Sequence, residues 1–327
     1  MTVYVVETAA GCREALEQAR GAGRSVGLVP TMGALHAGHV SLMTRARAEC
    51  GTVAVSIFVN PLQFGDPDDI AHYPRTLEQD LAVCAAAGVD VVFVPQVTEM
   101  YPDWPAPVAT TVSVRGVSEG WEGASRPGHF DGVATVVSKL FSIAGPCRAY
   151  FGEKDYQQLA VVRQLVADLS LPVSVIGCAI VRETDGLALS SRNVRLSAEE
   201  RRAAVVLSRA LVVGRSLLEQ GADYSSTVAE AMRRAVEEEP LVHLDYAVAV
   251  GALDLIAREV IEDPAAVRLL IAADVGPVRL IDNCAGAVVA PPTSTAHDAD
   301  RAGANGTTGS SGAGSAGAHG RQLERIG

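Results

Sequence analysis

The chain has 327 residues, 27 Lys+Arg against 38 Asp+Glu for a formal net charge of −11, and a composition that is 48% hydrophobic and 20% charged. At roughly 150 residues per domain this suggests two folded domains and excludes a globally disordered chain. No stretch approaches the ~20 consecutive apolar residues of a membrane span, no basic segment followed by a long apolar core opens the chain, and the acidic balance argues against extensive nucleic-acid binding.

The first half alternates strand-like and helix-like segments. A short apolar run at Val26–Val29 leads into Val29-Pro-Thr-Met-Gly-Ala-Leu-His36-Ala-Gly38-His39, and a helical pattern then covers Gly38–Cys50. A strand-to-helix turn is where an open α/β sheet binds phosphate, because the unpaired N–H groups and the helix dipole favour an anion. Gly33 and Gly38 would let the backbone approach a nucleotide closely. His36 and His39 offer donors whose ordinary pKa of ~6.5 makes both charge states accessible. The motif is neither a Walker A loop nor G-x-G-x-x-G, which disfavours dinucleotide binding.

A second strand, Val53–Val59, ends in Asn60-Pro-Leu-Gln63-Phe64, whose amides suit a small hydroxy acid as well as an ordinary turn. A helix over Leu77–Ala87 and a strand over Val89–Val94 follow. Arg126-Pro-Gly-His129-Phe-Asp131-Gly132 precedes a helix over Gly132–Ile143. The strand Arg148–Phe151 runs into Gly152-Glu153-Lys154-Asp155 and a helix over Lys154–Leu169 carrying Gln157 and Gln158. Lys154 can neutralise phosphate, and Asp155 can cap the helix or take a ribose hydroxyl. After the strand Val173–Ile176, Leu189-Ser190-Ser191-Arg192-Asn193 offers two hydroxyls and a guanidinium, which reads as a polyphosphate clamp or as a linker turn.

The βαβα rhythm predicts a Rossmann-like, doubly wound parallel sheet over residues 1–178. From 179 to 284 the pattern becomes that of a smaller α+β domain. Ser197-Ala-Glu-Glu200 reads as a capping box opening a long helix toward Gly221. A helix over Thr227–Glu238 and strands at Leu244–Val250, Val267–Ala272 and Val278–Ile281 complete it. Cys12, Cys50, Cys84, Cys147, Cys178 and Cys284 show no C-x-x-C spacing, so buried thiols are expected, with no metal knuckle and no implied disulfide. Between 291 and 320, 24 of 30 residues are Gly, Ser, Thr, Ala or Pro, and no Val, Leu, Ile, Met or aromatic residue occurs. Residues 285–327 are therefore expected to form a flexible tail.

In this order and spacing, PTMGALHAGH, FVNPLQFG, YPRTLEQDL, RPGHFDGVATVV, YFGEKDYQQL and VRETDGLALSSRN closely resemble the pantothenate synthetase family, the AMP-forming pantoate–β-alanine ligases. The resemblance implies a homodimeric enzyme of the cytoplasm that joins (R)-pantoate to β-alanine through a pantoyl adenylate, with ATP and Mg²⁺ and without nucleic acid or membrane. It implies ATP contacts at Met32, Gly33, Ala34, Leu35, His36, Ala37, Gly38 and His39. Further ATP contacts fall at Gly152, Glu153, Lys154 and Asp155, and at Val181, Leu189, Ser190, Ser191 and Arg192. Gln63 and Gln158 match the family's pantoate-binding glutamines, Gln63 also lies where β-alanine enters, and His39 matches its catalytic histidine. No protein metal ligand is assigned. Ala37 stands where many members carry Glu and Val40 where Leu is usual, and neither change removes a group the chemistry needs. Two rivals remain at this level: another H-x-G-H enzyme that transfers AMP to a phosphorylated acceptor, and an idle ATP-binding regulator.

Deleting residues 287–327 is expected to leave activity unchanged and to lower the melting temperature by less than about 3 °C, since the segment has almost nothing to bury. A calorimetric scan of the shortened chain checks this.

Overall fold

The computed structural model of the chain describes residues 3–65, 70 and 73–287; the predicted tail lies outside them from 288 onward. The larger sheet contains β1 (Tyr4–Val6), β2 (Val26–Thr31), β3 (Thr52–Ile57), β4 (Val91–Phe93), β5 (Cys147–Gly152) and β6 (Val173–Cys178), all parallel, in the order β1-β4-β3-β2-β5-β6. Its helices are α1 (Ala9–Gly21), α2 (Ala37–Glu49), α3 (Leu77–Ala86), the single turns α4 (Val97–Met100) and α5 (Glu122–Ser125), α6 (His129–Ala144) and α7 (Tyr156–Asp168).

Alternation along the strands sorts the core into two layers. Leu28, Ala54, Ala149 and Phe151 face one side and pack with Leu16, Phe130, Leu140 and Leu159 of α1, α6 and α7. Val29, Val53, Val55 and Tyr150 face the other and pack with Leu42, Met43 and Ala46 of α2 and Cys84 of α3. Burial on both faces is why these strands read as nearly continuous apolar runs.

The chain order reverses between β2 and β5, the switch point of a doubly wound sheet. Their pairing is confined to Gly27 with Arg148 and Leu28 with Ala149, whereas β2 stays paired with β3 up to Thr31. Past Leu28 the two strands part, and Pro30 has no N–H to continue a ladder. Doubly wound sheets take their ligands in a crevice of this kind.

A second, antiparallel sheet of β7 (Val242–Gly251), β8 (Val267–Val275) and β9 (Val278–Ala285) follows α8 (Ala198–Ala203), α9 (Val205–Glu219) and α10 (Ser225–Glu237). Leu269, Ile271 and Ala273 pack under α9 and α10 with Leu211, Val228 and Met232. Val250, Leu255 and Leu270 join the core of the parallel sheet instead.

The expected elements are present, several with shifted ends, and β1 and α1 stand in addition to them; four differences have a clear local cause or consequence. β2 runs two residues past Val29, through Pro30 to Thr31. The helix expected from Lys154 begins at Tyr156, because Glu153–Asp155 form a 3₁₀ turn. The Ser197–Glu200 capping box forms, but the helix breaks at Ala204, whose carbonyl accepts the Leu207 N–H three residues on, in a tightened turn. β9, expected to end at Ile281, continues to Ala285, paired with Arg268, one residue past the expected domain limit at 284.

Gly132, in the first turn of α6, touches the 3₁₀ turn Pro61–Gln63 so closely that a Cβ would stand 2.3 Å from the Leu62 oxygen and 2.6 Å from the Gln63 nitrogen. Gly132→Ala is expected to destabilise the fold by about 1–3 kcal/mol, because backbone must move to admit the methyl group. Urea denaturation of the variant measures this.

Candidate active site

A cleft of about 610 Å³ lies beyond the carboxyl ends of β2 and β5. Segments far apart in the chain supply its walls: Met32, His36, Gly38 and His39; Asn60 and Gln63; Arg126 and His129; Gly152, Lys154, Asp155 and Gln158; and Val181 with Leu189, Ser190, Ser191 and Arg192. Gly33, Ala34, Leu35, Ala37 and Glu153, all expected as ATP contacts, do not line it.

The H-x-G-H spacing has a local physical cause. His36 is the N-cap of α2, and its Nδ1 accepts the Gly38 N–H at 3.1 Å. The His36 N–H donates in turn to Nδ1 of His39 at 3.3 Å, so the two imidazoles complete a capping box at positions i and i+3. Each Nδ1 accepts a backbone proton, which leaves the ring proton of a neutral imidazole on Nε2. The ring centroids are 4.2 Å apart. A Cβ on Gly38 would stand 2.8 Å from His36 Cε1, so this glycine makes room for the imidazole while it also lines the cleft.

The turn before it is held from α3. Gly33 (φ 84°) and Ala34 (φ 50°) lie in the left-handed region, which costs a non-glycine residue energy. The Asp80 carboxylate, 2% exposed, accepts the N–H groups of Ala34 at 3.0 Å and Leu35 at 2.7 Å and the Thr76 hydroxyl at 3.2 Å. Gly33, Ala34 and Leu35 thus serve the turn that aims His36. Asp80 sits in a motif visible in the sequence, but nothing local marks it as the clamp of a loop some 45 residues earlier.

Gln63 is buried, its Nε2 donating to Met32 Sδ at 2.9 Å and its Oε1 accepting from Asn60 Nδ2 at 3.1 Å. Asn60 also donates to the Gly132 carbonyl and accepts from the Tyr101 hydroxyl at 2.8 Å. The Gln63 carbonyl accepts from His129 Nδ1 at 2.9 Å, while Arg126 Nη1 donates to His129 Nε2 at 3.2 Å. The Gln158 amide lines the same cleft and makes no hydrogen bond among the described residues, whereas buried Gln157 holds the loop at Val117 and Gly120.

Lys154 stands 3.5 Å from Asp155. Burial works to raise the Asp155 carboxyl, but the Lys154 and Arg192 cations outweigh it and hold the group below its ordinary range. Ser190 caps the 3₁₀ turn Ser191–Arg195, its hydroxyl accepting the Arg192 N–H. Glu153 turns away from the cleft and pairs with Arg268 at 3.1 Å.

All three cleft imidazoles are held neutral. Burial, then Lys154, lowers His36; burial, then His36, lowers His39 to about 4; burial, then Arg126, lowers His129 to about 4. Fixed positive charge therefore comes from Lys154, Arg126, Arg192 and Arg195, and the histidines act as hydrogen-bonding groups. The arrangement suits a polyphosphate beside His36, His39, Lys154 and Arg192, and a small hydroxy acid beside the glutamines.

Residues 4–285 match the family model described as pantoate-beta-alanine ligase. The chain is 53% identical over 279 residues to a pantothenate synthetase of Cereibacter sphaeroides, covering 85% of this chain and 98% of that one. Its structure is similar to that of a pantothenate synthetase from Thermus thermophilus, with TM-score 0.81 and 47% identity, covering 88% of this chain and 100% of that one. It is also similar to a pantoate-beta-alanine ligase from Francisella tularensis complexed with beta-gamma ATP and beta-alanine, with TM-score 0.69 and 33% identity, covering 87% and 98% of the two chains.

His39 and His129 titrate lower in the folded chain than the ordinary 6.5, so below that value the unfolded chain binds more protons. Their contribution is fully present above pH 6.5 and is lost as the pH falls toward about 4. Urea midpoints at about pH 7.5 and about pH 5 are expected to show this loss, and His129→Gln is expected to reduce it.

Proposed function

Since the chain belongs to the pantoate–β-alanine ligase family, we propose that this cleft condenses (R)-pantoate with β-alanine, using ATP and releasing AMP and pyrophosphate. The observation that carries the reading is the convergence of His36, His39, Lys154 and Arg192 with Gln63 and Gln158 in one cleft at the sheet's switch point.

Pantoate and ATP are both anionic, so the first step, attack of the pantoate carboxylate on the α-phosphorus, needs positioning and charge neutralisation above all. Nε2–H of His36 and of His39 donate to phosphoryl oxygens, Lys154 and Arg192 neutralise the phosphates, and the Gln63 and Gln158 amides hold pantoate. In this reading His39 touches the α-phosphate as donor. With Nδ1 engaged by the His36 N–H it offers no free lone pair, so it is not the base that deprotonates the β-alanine amine. The chain presents no covalent nucleophile among these residues, and the activated acid is a pantoyl adenylate held without a covalent bond to protein. β-Alanine then enters beside Gln63 and its amine displaces AMP.

Mg²⁺ fits as an ion carried by the phosphates. Among the described residues no group of three or more His, Cys, Asp and Glu side chains gathers to hold a metal, and Asp155, deprotonated on the cleft wall, is the carboxylate able to share it. When bound it neutralises phosphate charge.

The same reading treats residues 1–178 as the nucleotide- and pantoate-binding domain, 179–284 as a domain covering it, and the enzyme as a cytoplasmic homodimer, ATP being the co-substrate. Met32 and Val181 complete the nucleotide's surroundings. The hairpin Val181–Leu189 is anchored at both ends, with Arg182 on Asp282 near its base and Arg201 on Glu183 and Asp185 at its turn, so it covers the cleft as a fixed wall.

Exchange of labelled pyrophosphate into ATP tests the reading. Exchange is expected with pantoate and Mg²⁺ and without β-alanine, and His39→Ala is expected to lower it about 10²–10³-fold with the fold retained. Exchange without pantoate, or pyrophosphate release only after β-alanine is added, overturns it in favour of another AMP-transferring chemistry.

A further inference from the structure

Asp282 and Asn283 stand side by side on β9, and their side chains are buried, at 5% and 2% exposure. Neither lines the cleft, yet each reaches one of its walls. Asn283 Nδ2 donates to the carbonyl oxygens of Glu153 at 2.9 Å and Lys154 at 2.7 Å. Its Oδ1 accepts from Arg268 Nε at 2.7 Å. Arg268, 7% exposed, lies over the Tyr156 ring at 4.0 Å from the centroid and pairs with the Glu153 carboxylate. The 3₁₀ turn that presents Lys154 is thus gripped at two backbone carbonyls, at the Glu153 side chain and at the residue that follows the turn.

Asp282 serves the other wall. Its carboxylate takes Arg182 in a two-pronged pair at 2.6 and 2.9 Å, and Arg182 Nη2 also donates to the Asn283 carbonyl. Arg182 belongs to the hairpin in which the Leu189 N–H bonds the Val181 carbonyl at 2.9 Å, and the chain runs from there directly into Ser190–Arg192. Successive side chains leave a strand on opposite faces, so two neighbours can hold two different elements at once.

We propose that Asp282 and Asn283 are positioning residues for the nucleotide: from one strand of the smaller sheet they fix the separation of the Lys154 wall and the Ser190–Arg192 wall, and with it the fit of the cleft to a polyphosphate. The inference rests on the reading that this cleft binds ATP. The two cations neutralise one chain of phosphates only while their spacing holds, and a displacement of either loosens binding of ATP while Gln63, held by Asn60 and Met32, keeps its place for pantoate.

Asn283→Asp keeps the size of the side chain and removes both donors to the Glu153 and Lys154 carbonyls. Titration calorimetry with ATP is expected to show binding about tenfold weaker than in the unsubstituted chain, and steady-state assays a KM for ATP raised about tenfold with the KM for pantoate within about twofold. Val236→Ala, which hollows the core under the same sheet far from the clasp, supplies a comparison of similar lost stability. Its affinity for ATP is expected to stay within about twofold of the unsubstituted chain. If Asn283→Asp is not recovered folded, Asp282→Asn is read in the same way. Equal ATP affinity in the variant and the unsubstituted chain, a parallel rise of both KM values, or an equal loss in Val236→Ala overturns the inference. Absence of ATP binding by the unsubstituted chain overturns the ATP reading itself.

Discussion

The parting of β2 from β5 after two paired residues is the constraint on which the rest of the site depends. A fully paired sheet would leave no crevice, and a sheet parted without support would leave the ends of two central strands unsatisfied. Both emerging chains are therefore held by groups from elsewhere: the turn after β2 by the Asp80 carboxylate, and the turn after β5 by Asn283 and Arg268. The cleft is open at its centre because it is fastened at its edges.

That fastening governs the electrostatics. His36 and His39 spend their Nδ1 atoms on backbone N–H groups at a helix N-terminus, a place that favours anions and disfavours imidazolium. Burial reinforces the effect, and the two rings stay neutral donors through Nε2. Permanent charge is left to lysine and arginine side chains that flank the rings. A neutral donor contributes to a developing phosphoryl charge without adding repulsion to the cations beside it.

The smaller sheet enters the site without supplying it with cleft-lining groups from β8 or β9. Arg279 ties β9 to Glu122 and Asp245, Tyr246 donates to Glu122, and Trp121 reaches the Leu255 carbonyl. These contacts hold the segment that leads to Arg126 and His129, as Asp282 and Asn283 hold the other two. A layer whose own core lies under α9 and α10 thereby acts as the frame for cleft-lining groups that follow strands of the parallel sheet.

Much of this was legible in the amino-acid sequence. Continuous β-branched runs between amphipathic segments determined a parallel α/β sheet, because strands buried on both faces must be apolar throughout. The H-x-G-H pair at a strand-to-helix turn determined a helix cap at the cleft, because that spacing is the spacing of a capping box. What only the tertiary structure decided is which groups share the cleft and which merely support it. Glu153 reads like its neighbour Lys154 but turns to Arg268, and Asp80, Asp282 and Asn283 act across 46, 100 and 129 residues of chain. Helix caps and strand patterns depend on neighbours a few residues away, so a sequence displays them. A buried amide bonded to a distant carbonyl depends on where two sheets meet, and no local pattern records that.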